Sequence, residues 1–382
     1  FIGGILLATA ATAWAWYNIA PERAFWTALS VLVISCPCAL ALATPAALSN
    51  AANALRRRGI LVRGEGALES AAHVTHILFD KTGTLTRGEL AIGEVACLGD
   101  LQRDEVLALA AALQRYANHP IARAFSDIDP SGDLGDVRFD VGRGVSGTWR
   151  GIACRIGGAG YCRAIAPGLL PERAQETGYW IALCAENQPL AWIRLEDTLR
   201  EEAMAVTGAL KSRGATLELV TGDQSPQGEA MGSSLGFDGV HTGMSPQDKS
   251  AHVAALQAAG ASVLMIGDGL NDAPVLRRAN ASIAVAGATD LARTQADFVI
   301  MDGDLHRITT ILDKAQQCRR TLYQNLAWAL GYNAVGIPLA ALGHIPPWAA
   351  AVGMSLSSLL VVANSLRLAR APRRTGQGLI HG

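Results

Sequence analysis

Two long uncharged stretches bracket a mixed, charged middle in this chain of 382 residues. Residues 1–17 are apolar and end at Tyr17 and Asn18, and residues 24–55 hold no Asp, Glu, Lys or Arg. The second run exceeds the ~20 residues that cross a bilayer as a helix. Residues 321–366 are again free of those four residue types and break at Gly343-His344-Ile345-Pro346-Pro347. The pattern predicts four membrane spans in two hairpins, the later pair near 322–342 and 347–367, with turns at 18–23 and 343–347. Arginines sit beside the runs, at 56, 57, 58 and 63, at 319 and 320, and at 367, 370, 373 and 374, while the short turns carry only Arg23. The positive-inside rule then makes residues 56–320 cytoplasmic.

Inside that block, short β-rich runs alternate with helical ones. Ile77-Leu78-Phe79, Leu217-Glu218-Leu219-Val220 and Val263-Leu264-Met265-Ile266 read as buried strands, each followed by polar and glycine residues. Helical stretches over 199–213 and 247–260 lie between the later ones. This predicts a parallel α/β sheet with its active site beyond the carboxyl ends of the strands. Residues 89–195 interrupt the alternation and read as an inserted domain.

Composition agrees with a mixed protein. Half the residues are hydrophobic and 17% charged, too apolar for an ordinary soluble enzyme and too charged for a wholly embedded one. A net charge of −1, with no polybasic or acidic tail, gives no footprint for nucleic acid. Seven cysteines, at 36, 38, 97, 154, 162, 184 and 318, form no disulfide framework, and the soluble block reads as cytosolic and reduced. The first residue is Phe1 and no charged leader precedes the apolar run, so the chain reads as a segment of a longer membrane protein.

Candidate chemistry gathers at the strand ends. Asp80, in Asp80-Lys81-Thr82-Gly83-Thr84-Leu85-Thr86, is placed to attack the γ-phosphorus of ATP and become an aspartyl phosphate. Phosphoryl transfer rests on positioning and charge neutralisation. Thr221-Gly222-Asp223 can hold a phosphate oxygen, Lys249 can pair with the phosphoryl group, and Gly267-Asp268-Gly269-Leu270-Asn271-Asp272 offers two carboxylates for Mg²⁺. Only four lysines occur among 32 basic residues, so Lys81 and Lys249 stand out. In the second apolar run, Ser35-Cys36-Pro37-Cys38 sets two thiols around a proline that opens a helix, and soft sulfur selects Cu(I) and similar ions.

The string 80–86 and the elements that follow resemble the haloacid-dehalogenase-like phosphorylation domain of P-type ATPases. With Cys36-Pro37-Cys38, the whole chain is similar to the later part of the heavy-metal-transporting members. The resemblance implies membrane α-helical hairpins plus a cytoplasmic α/β phosphorylation domain with an inserted α+β nucleotide-binding domain. The expected segments are 1–55 (two spans), 56–88 (cytoplasmic extension and first part of the phosphorylation domain), 89–195 (nucleotide domain), 196–320 (second part of the phosphorylation domain), 321–368 (two spans) and 369–382 (tail). It implies catalytic roles for Asp80, Lys81, Thr82, Thr221, Gly222, Asp223, Lys249 and Asn271, and Mg²⁺ held at Asp80, Thr82, Asp268 and Asp272. It further implies nucleotide contacts from His119, Gly142 and Gly144, and from Asp197 and Arg200, for which a helix-starting Asp with an ion pair is the plain alternative. Ala117-Asn118 stands where the family commonly has Ser-Glu before the His-Pro pair, which removes a carboxylate from the adenine site.

Zinc and cadmium pumps of the family carry an aspartate in the last span and a lysine in the preceding one. This chain has neither, and shows Tyr332-Asn333 and Met354-Ser355-Leu356-Ser357-Ser358 instead. Cys36, Cys38, Tyr332, Asn333, Met354 and Ser358 are therefore expected to carry Cu(I), and Ag(I) with it, out of the cytoplasm, at the expense of ATP with Mg²⁺. Expected partners are a cytosolic metallochaperone, the bilayer of a bacterial inner membrane and N-terminal parts of the same protein, with no nucleic acid. No Thr-Gly-Glu string occurs, so the phosphoenzyme-hydrolysing glutamate of the family is absent and this segment alone is not expected to turn over. A zinc or cadmium exporter and a membrane-tethered phosphatase of the same fold remain the alternatives. Thr82, where such phosphatases place a second Asp, argues against the latter.

Overall fold

The computed structural model describes residues 2–64, 66–117, 120–130, 134–140, 142–172, 179–223, 226–267, 272–285 and 296–369. The chain begins with α1 (Ile2–Ile19), α2 (Pro21–Ile34), α3 (Cys38–Arg56), β1 (Ile60–Val62) and α4 (Ala67–Ala71). Then follow β2 (His76–Asp80), β3 (Thr86–Cys97), α5 (Arg103–Gln114), α6 (Pro120–Arg123), β4 (Leu134–Asp140), β5 (Gly144–Trp149), β6 (Ile152–Gly157) and α7 (Ala159–Arg163). Next come β7 (Tyr179–Ala185), β8 (Gln188–Leu199), α8 (Ala203–Lys211), β9 (Thr216–Val220), α9 (Pro226–Leu235), β10 (Gly239–His241), α10 (Pro246–Ala258) and β11 (Val263–Gly267). The last elements are α11 (Ala273–Arg278), β12 (Ala281–Ala284), β13 (Phe298–Ile300), α12 (His306–Ala341) and α13 (Pro347–Leu366). They form two compact units, one from residues 1–74 with 297–382 and one from 75–296.

The first unit is helical, with β1 and β13 paired antiparallel from Ile60↔Ile300 to Val62↔Phe298. Its helices meet through small residues. Ala39, Ala43 and Ala329 pack with Val361, and Val31 and Ile34 pack with Ala340 and Ala350. A Cβ on Gly336 would stand 2.6 Å from the Ile34 side chain, so α2 and α12 approach as closely as a glycine allows. Trp16 donates its indole N–H to the Ala341 carbonyl at 2.8 Å. Leu7, Trp14, Trp348 and Leu359 face outward and are more than half exposed, as helices apolar on all sides do when lipid is their solvent. Among the described residues, the stretch Pro347–Ala369 is long and apolar enough to cross a membrane by itself.

The run 24–55 breaks where Pro37 was expected to open it: α2 ends at Ile34 and α3 starts at Cys38, because Pro37 cannot donate to the helical ladder. The helix that contains the span expected near 322–342 extends beyond it, starting at His306, since its charged first half continues the same helical repeat. Cys36 and Cys38, expected as free thiols, are paired as a disulfide. The turn at Pro37 brings their Cα atoms to 5.5 Å, within the usual reach of a bridge. The remaining five cysteines are free.

The second unit holds two sheets. Strands β12, β11, β2, β9 and β10 lie side by side in that order, all parallel, with Leu78 opposite Met265 and Glu218. Ile77, Leu78, Phe79, Leu217, Leu219, Leu264 and Ile266 are fully buried, which is why these strands read as largely apolar runs, with Glu218 the charged exception in β9. The other sheet is antiparallel, in the order β3, β8, β7, β6, β5, β4. Against it packs α5, whose Val106, Leu109 and Leu113 join Ile156, Ile181 and Ile193 in one core. That helix starts with a reciprocal cap between Gln102 and Glu105.

Candidate functional site

Parallel strands deliver their following residues to one edge of the sheet, and the charged groups meet there. Asp80 ends β2, Thr221 follows β9, Lys249 lies in the first turn of α10 and Asp272 precedes α11. The Lys249 ammonium donates to Asp80 Oδ1 at 2.5 Å and to Asp272 Oδ1 at 2.8 Å. All three groups are buried, at 5%, 7% and 2% exposure. Burial by itself would push the Lys249 ammonium down, but the carboxylates of Asp80 and Asp272 outweigh it and hold its pKa above the ordinary value. Lys81 pairs with Asp223 beside this cluster, and the Thr221 hydroxyl accepts from the Asp223 amide at 3.1 Å. Two carboxylates converging on one cation are a hard-oxygen donor set suited to Mg²⁺. A Cβ on Gly267 would lie 2.8 Å from Asp272 Oδ2, so that glycine lets the carboxylate fold against the strand end.

The turn after Asp80 is held by a second set of bonds. Gly83 takes φ +71°, a left-handed conformation that glycine adopts without penalty. The Thr86 hydroxyl accepts from the Gly83 amide at 3.1 Å and donates to Asp197 Oδ2 at 2.6 Å. Asp197 Oδ1 accepts from the Gly88 amide, and Arg200 donates to the carbonyls of Thr86 and Gly83. Burial pushes the Asp197 carboxyl up, against the pull of Thr86, Gly88, Lys81 and Arg200. Asp197 lies on β8 and not at a helix start, which corrects the plain alternative for that residue. Asp197 and Arg200 grip the loop behind Asp80.

At the far sheet, Gly142 and Gly144 line an open cavity of about 200 Å³ together with Gln114, Ile121, Phe139 and Tyr179. A Cβ on Gly144 would sit 2.1 Å from the Ile156 carbonyl, so two strands touch backbone to backbone at the cavity floor. His119, Asp268 and Asn271 lie outside the described residues.

In the helical unit, Cys36, Pro37, Tyr332, Asn333, Met354 and Ser357 line one small cavity where α2 gives way to α3. The Cys38 sulfur stands 3.9 Å from the Met354 sulfur. The Tyr332 hydroxyl is buried with no partner among the described residues, and a Cβ on Gly353 would approach it to 2.8 Å. None of the described residues lining the cavity is Asp, Glu, Lys or Arg. Ser357 lines this space where Ser358 was expected. It is 3% exposed and accepts from the Trp328 indole at 3.1 Å. Bridged sulfurs offer no thiolate, so soft-metal binding here begins from the reduced pair.

The model of the haloacid dehalogenase-like hydrolase family matches residues 74–280. The chain is 36% identical over 386 residues to a copper-exporting P-type ATPase of Mycobacterium tuberculosis (strain ATCC 25618 / H37Rv), covering 98% of this chain and 50% of the relative. It is 40% identical over 344 residues to a probable copper-transporting ATPase of Synechococcus elongatus, covering 86% and 43%. Among solved structures, a zinc-transporting PIB-type ATPase in its E2.Pi state superposes with a TM-score of 0.84 at 30% identity, over 97% of this chain and 62% of that one. The chain belongs to the haloacid dehalogenase-like hydrolases, in their P-type ATPase branch. It is a membrane protein of that branch, and it spans about half the length of the curated relatives it matches.

Of the residues expected in this P-type ATPase site, the structure brings Asp80, Lys249 and Asp272 into direct contact, with Lys81 and Asp223 paired alongside. Thr82 is exposed in the same loop. Sequence reasoning passed over Thr86, Gly353 and Ser357. Thr86 closes the signature string, which was a usable signal. Ser357 and Ser358 sit three and four residues from Met354, so both share its helix face, and spacing could not choose between them.

Proposed function

We propose that the full-length protein exports Cu(I) from the cytoplasm, driven by ATP through an aspartyl phosphate on Asp80. The supporting observation is the uncharged, sulfur-lined cavity of Cys36, Tyr332, Asn333 and Met354 in the chain that also carries the Asp80–Lys249–Asp272 cluster. Thiolate, thioether and neutral oxygen donors suit a monovalent soft ion, and Ag(I) is the expected surrogate. Four spans, a cytoplasmic block 56–320, a bacterial inner membrane and delivery by a metallochaperone complete the reading. The copper-exporting relatives support the cargo, and the arginine-flanked apolar runs support the topology.

In the proposed cycle an Asp80 carboxylate oxygen attacks the γ-phosphorus while the bond to the leaving oxygen of ADP breaks. The Lys249 ammonium, fixed on Asp80, cancels charge as it builds on the phosphoryl oxygens. Thr221 and Gly222 hold a phosphoryl oxygen at the end of β9, and Lys81 is steadied by Asp223. Bound Mg²⁺, held by Asp80, Thr82, Asp268 and Asp272, would supply further neutralisation of the phosphates. With Thr82 in the place of a second acid, the phosphoenzyme is not promptly hydrolysed and can drive transport. His119, Asn118, Gly142 and Gly144 would receive the adenine end.

Phosphorylation of the full-length protein from γ-labelled ATP, compared across Cu(I), Ag(I) and Zn(II), tests the reading. Acid-stable label that Cu(I) and Ag(I) raise and Zn(II) does not is expected; stimulation by Zn(II) alone would replace it with a zinc exporter. That second reading has one observation in its favour, the superposition on a zinc-transporting structure.

A further inference from the structure

Away from the phosphorylation cluster, three ligand-capable side chains converge at the edge of the parallel sheet. Glu218 lies on β9, between β2 and β10, and is 9% exposed. His241 ends β10 and His252 lies in α10. Both imidazoles turn Nε2 to the same carboxylate oxygen, Glu218 Oε2, at 3.1 Å and 2.5 Å. Their rings stand 4.3 Å apart between centroids, tilted by 50°. One ligand atom from each of the three falls within 4.8 Å of the other two. A Cβ on Gly239 would lie 3.3 Å from Glu218 Cγ and 3.4 Å from His241 Nε2, so the absence of a side chain there leaves the pocket its depth.

We propose that Glu218, His241 and His252 form a binding site for a divalent transition-metal ion of the zinc class, separate from the cargo path. Two imidazole nitrogens and one carboxylate oxygen, with a fourth position open to water, are a familiar donor set for such an ion. Bond lengths near 2 Å place tetrahedral ligand atoms about 3.3 Å apart. The His241–Glu218 spacing already fits, and His252 has only to withdraw by several tenths of an ångström. A dication at the centre replaces two hydrogen bonds competing for one oxygen and neutralises a carboxylate on an interior strand. His241, with 37% of its side chain exposed, provides the entry.

The elements joined are the ones that hold the phosphorylation cluster. Glu218 lies on β9 three residues before Thr221, which follows that strand, and His252 is one helical turn beyond Lys249. An ion bound here ties β9, β10 and α10 together and stiffens the frame that carries Lys249 to Asp80.

The test uses the untagged full chain in detergent with Cys36→Ser and Cys38→Ser, which removes the sulfur site, titrated with Co(II) alone. One Co(II) per chain is expected, with visible ligand-field bands, no sulfur charge-transfer band, and displacement by Zn(II). His241→Gln, His252→Gln and Glu218→Gln should each weaken binding by at least the roughly tenfold that even outer-shell losses cost. Zn(II) should raise the unfolding midpoint of the parent and leave that of the variants unmoved. Should His252→Gln fail to fold, His241→Gln, altering the most exposed of the three, decides the matter. An absent Co(II) spectrum, a sulfur charge-transfer band, or affinity unchanged in His241→Gln would overturn the proposal.

Discussion

The two reactive regions of this P-type ATPase solve opposite electrostatic problems. At the strand ends, a buried lysine is matched by two buried aspartates at 2.5 and 2.8 Å, so charge is answered by charge. In the helical unit, sulfur, phenol and amide line a cavity without any charged neighbour among the described residues. A polyanionic phosphate demands the first arrangement. The proposed soft monovalent cargo, crossing a low-dielectric layer, would call for the second, because an unmatched fixed charge there is costly. The comparison teaches that the charged cluster at the strand ends should be fragile to loss of any one charge, whereas the uncharged cavity should lose much less stability when a lining residue is replaced.

The sharpest way to separate the regions is a pair of substitutions read by the same labelling assay. Asp80→Asn should reduce phosphoenzyme to background with every metal, while Cys36→Ser should remove stimulation by Cu(I) and leave Pi-driven labelling of Asp80 intact. Equal loss of both labelling routes in Cys36→Ser would break the comparison. Next in size, Lys249→Ala leaves two buried carboxylates facing each other and should cost about 3–5 kcal/mol, measured by denaturant unfolding. The pH dependence follows from the raised Lys249 pKa. A lysine whose folded value lies above its ordinary 10.5 contributes fully below that pH and loses its contribution as pH climbs through the folded value. The stability gap between parent and Lys249→Ala should therefore be flat near neutrality and shrink in strong alkali.

Smaller effects probe the supports. Thr86→Val keeps the shape but strands the Gly83 amide and Asp197, at a cost of about 2–3 kcal/mol, with slower phosphorylation from ATP. Ser357→Ala removes the partner of the half-exposed Trp328 indole, at about 0.5–1.5 kcal/mol. Ser358→Ala should stay within about 0.5 kcal/mol. Thermal unfolding of the two serine variants side by side would show whether the structure's choice of Ser357 is sound; a larger loss in Ser358→Ala would reverse it.

Local pattern was enough to announce much of this molecule. Short, mostly apolar runs marked β2, β9 and β11, because strands buried on both faces are apolar at most positions. The string 80–86 announced where charged groups gather, since Asp80 at its head meets Lys249 at the strand ends. Cys36-Pro37-Cys38 announced the break between α2 and α3, because proline cannot donate to a helical ladder in any context. Other features needed the third dimension. Glu218, His241 and His252 lie far enough apart along the chain to carry no motif, and only parallel pairing of β9 with β10 and the packing of α10 bring them to one oxygen. The choice of Ser357 over Ser358, the grip of Asp197 and Arg200 on the loop behind Asp80, and the start of α12 at His306 were likewise decided by packing. Sequence by itself determines which chemistry is available and where the chain must bend. Which of two neighbouring side chains faces a cavity depends on the rotation of a whole helix against its partners, a quantity no local pattern encodes.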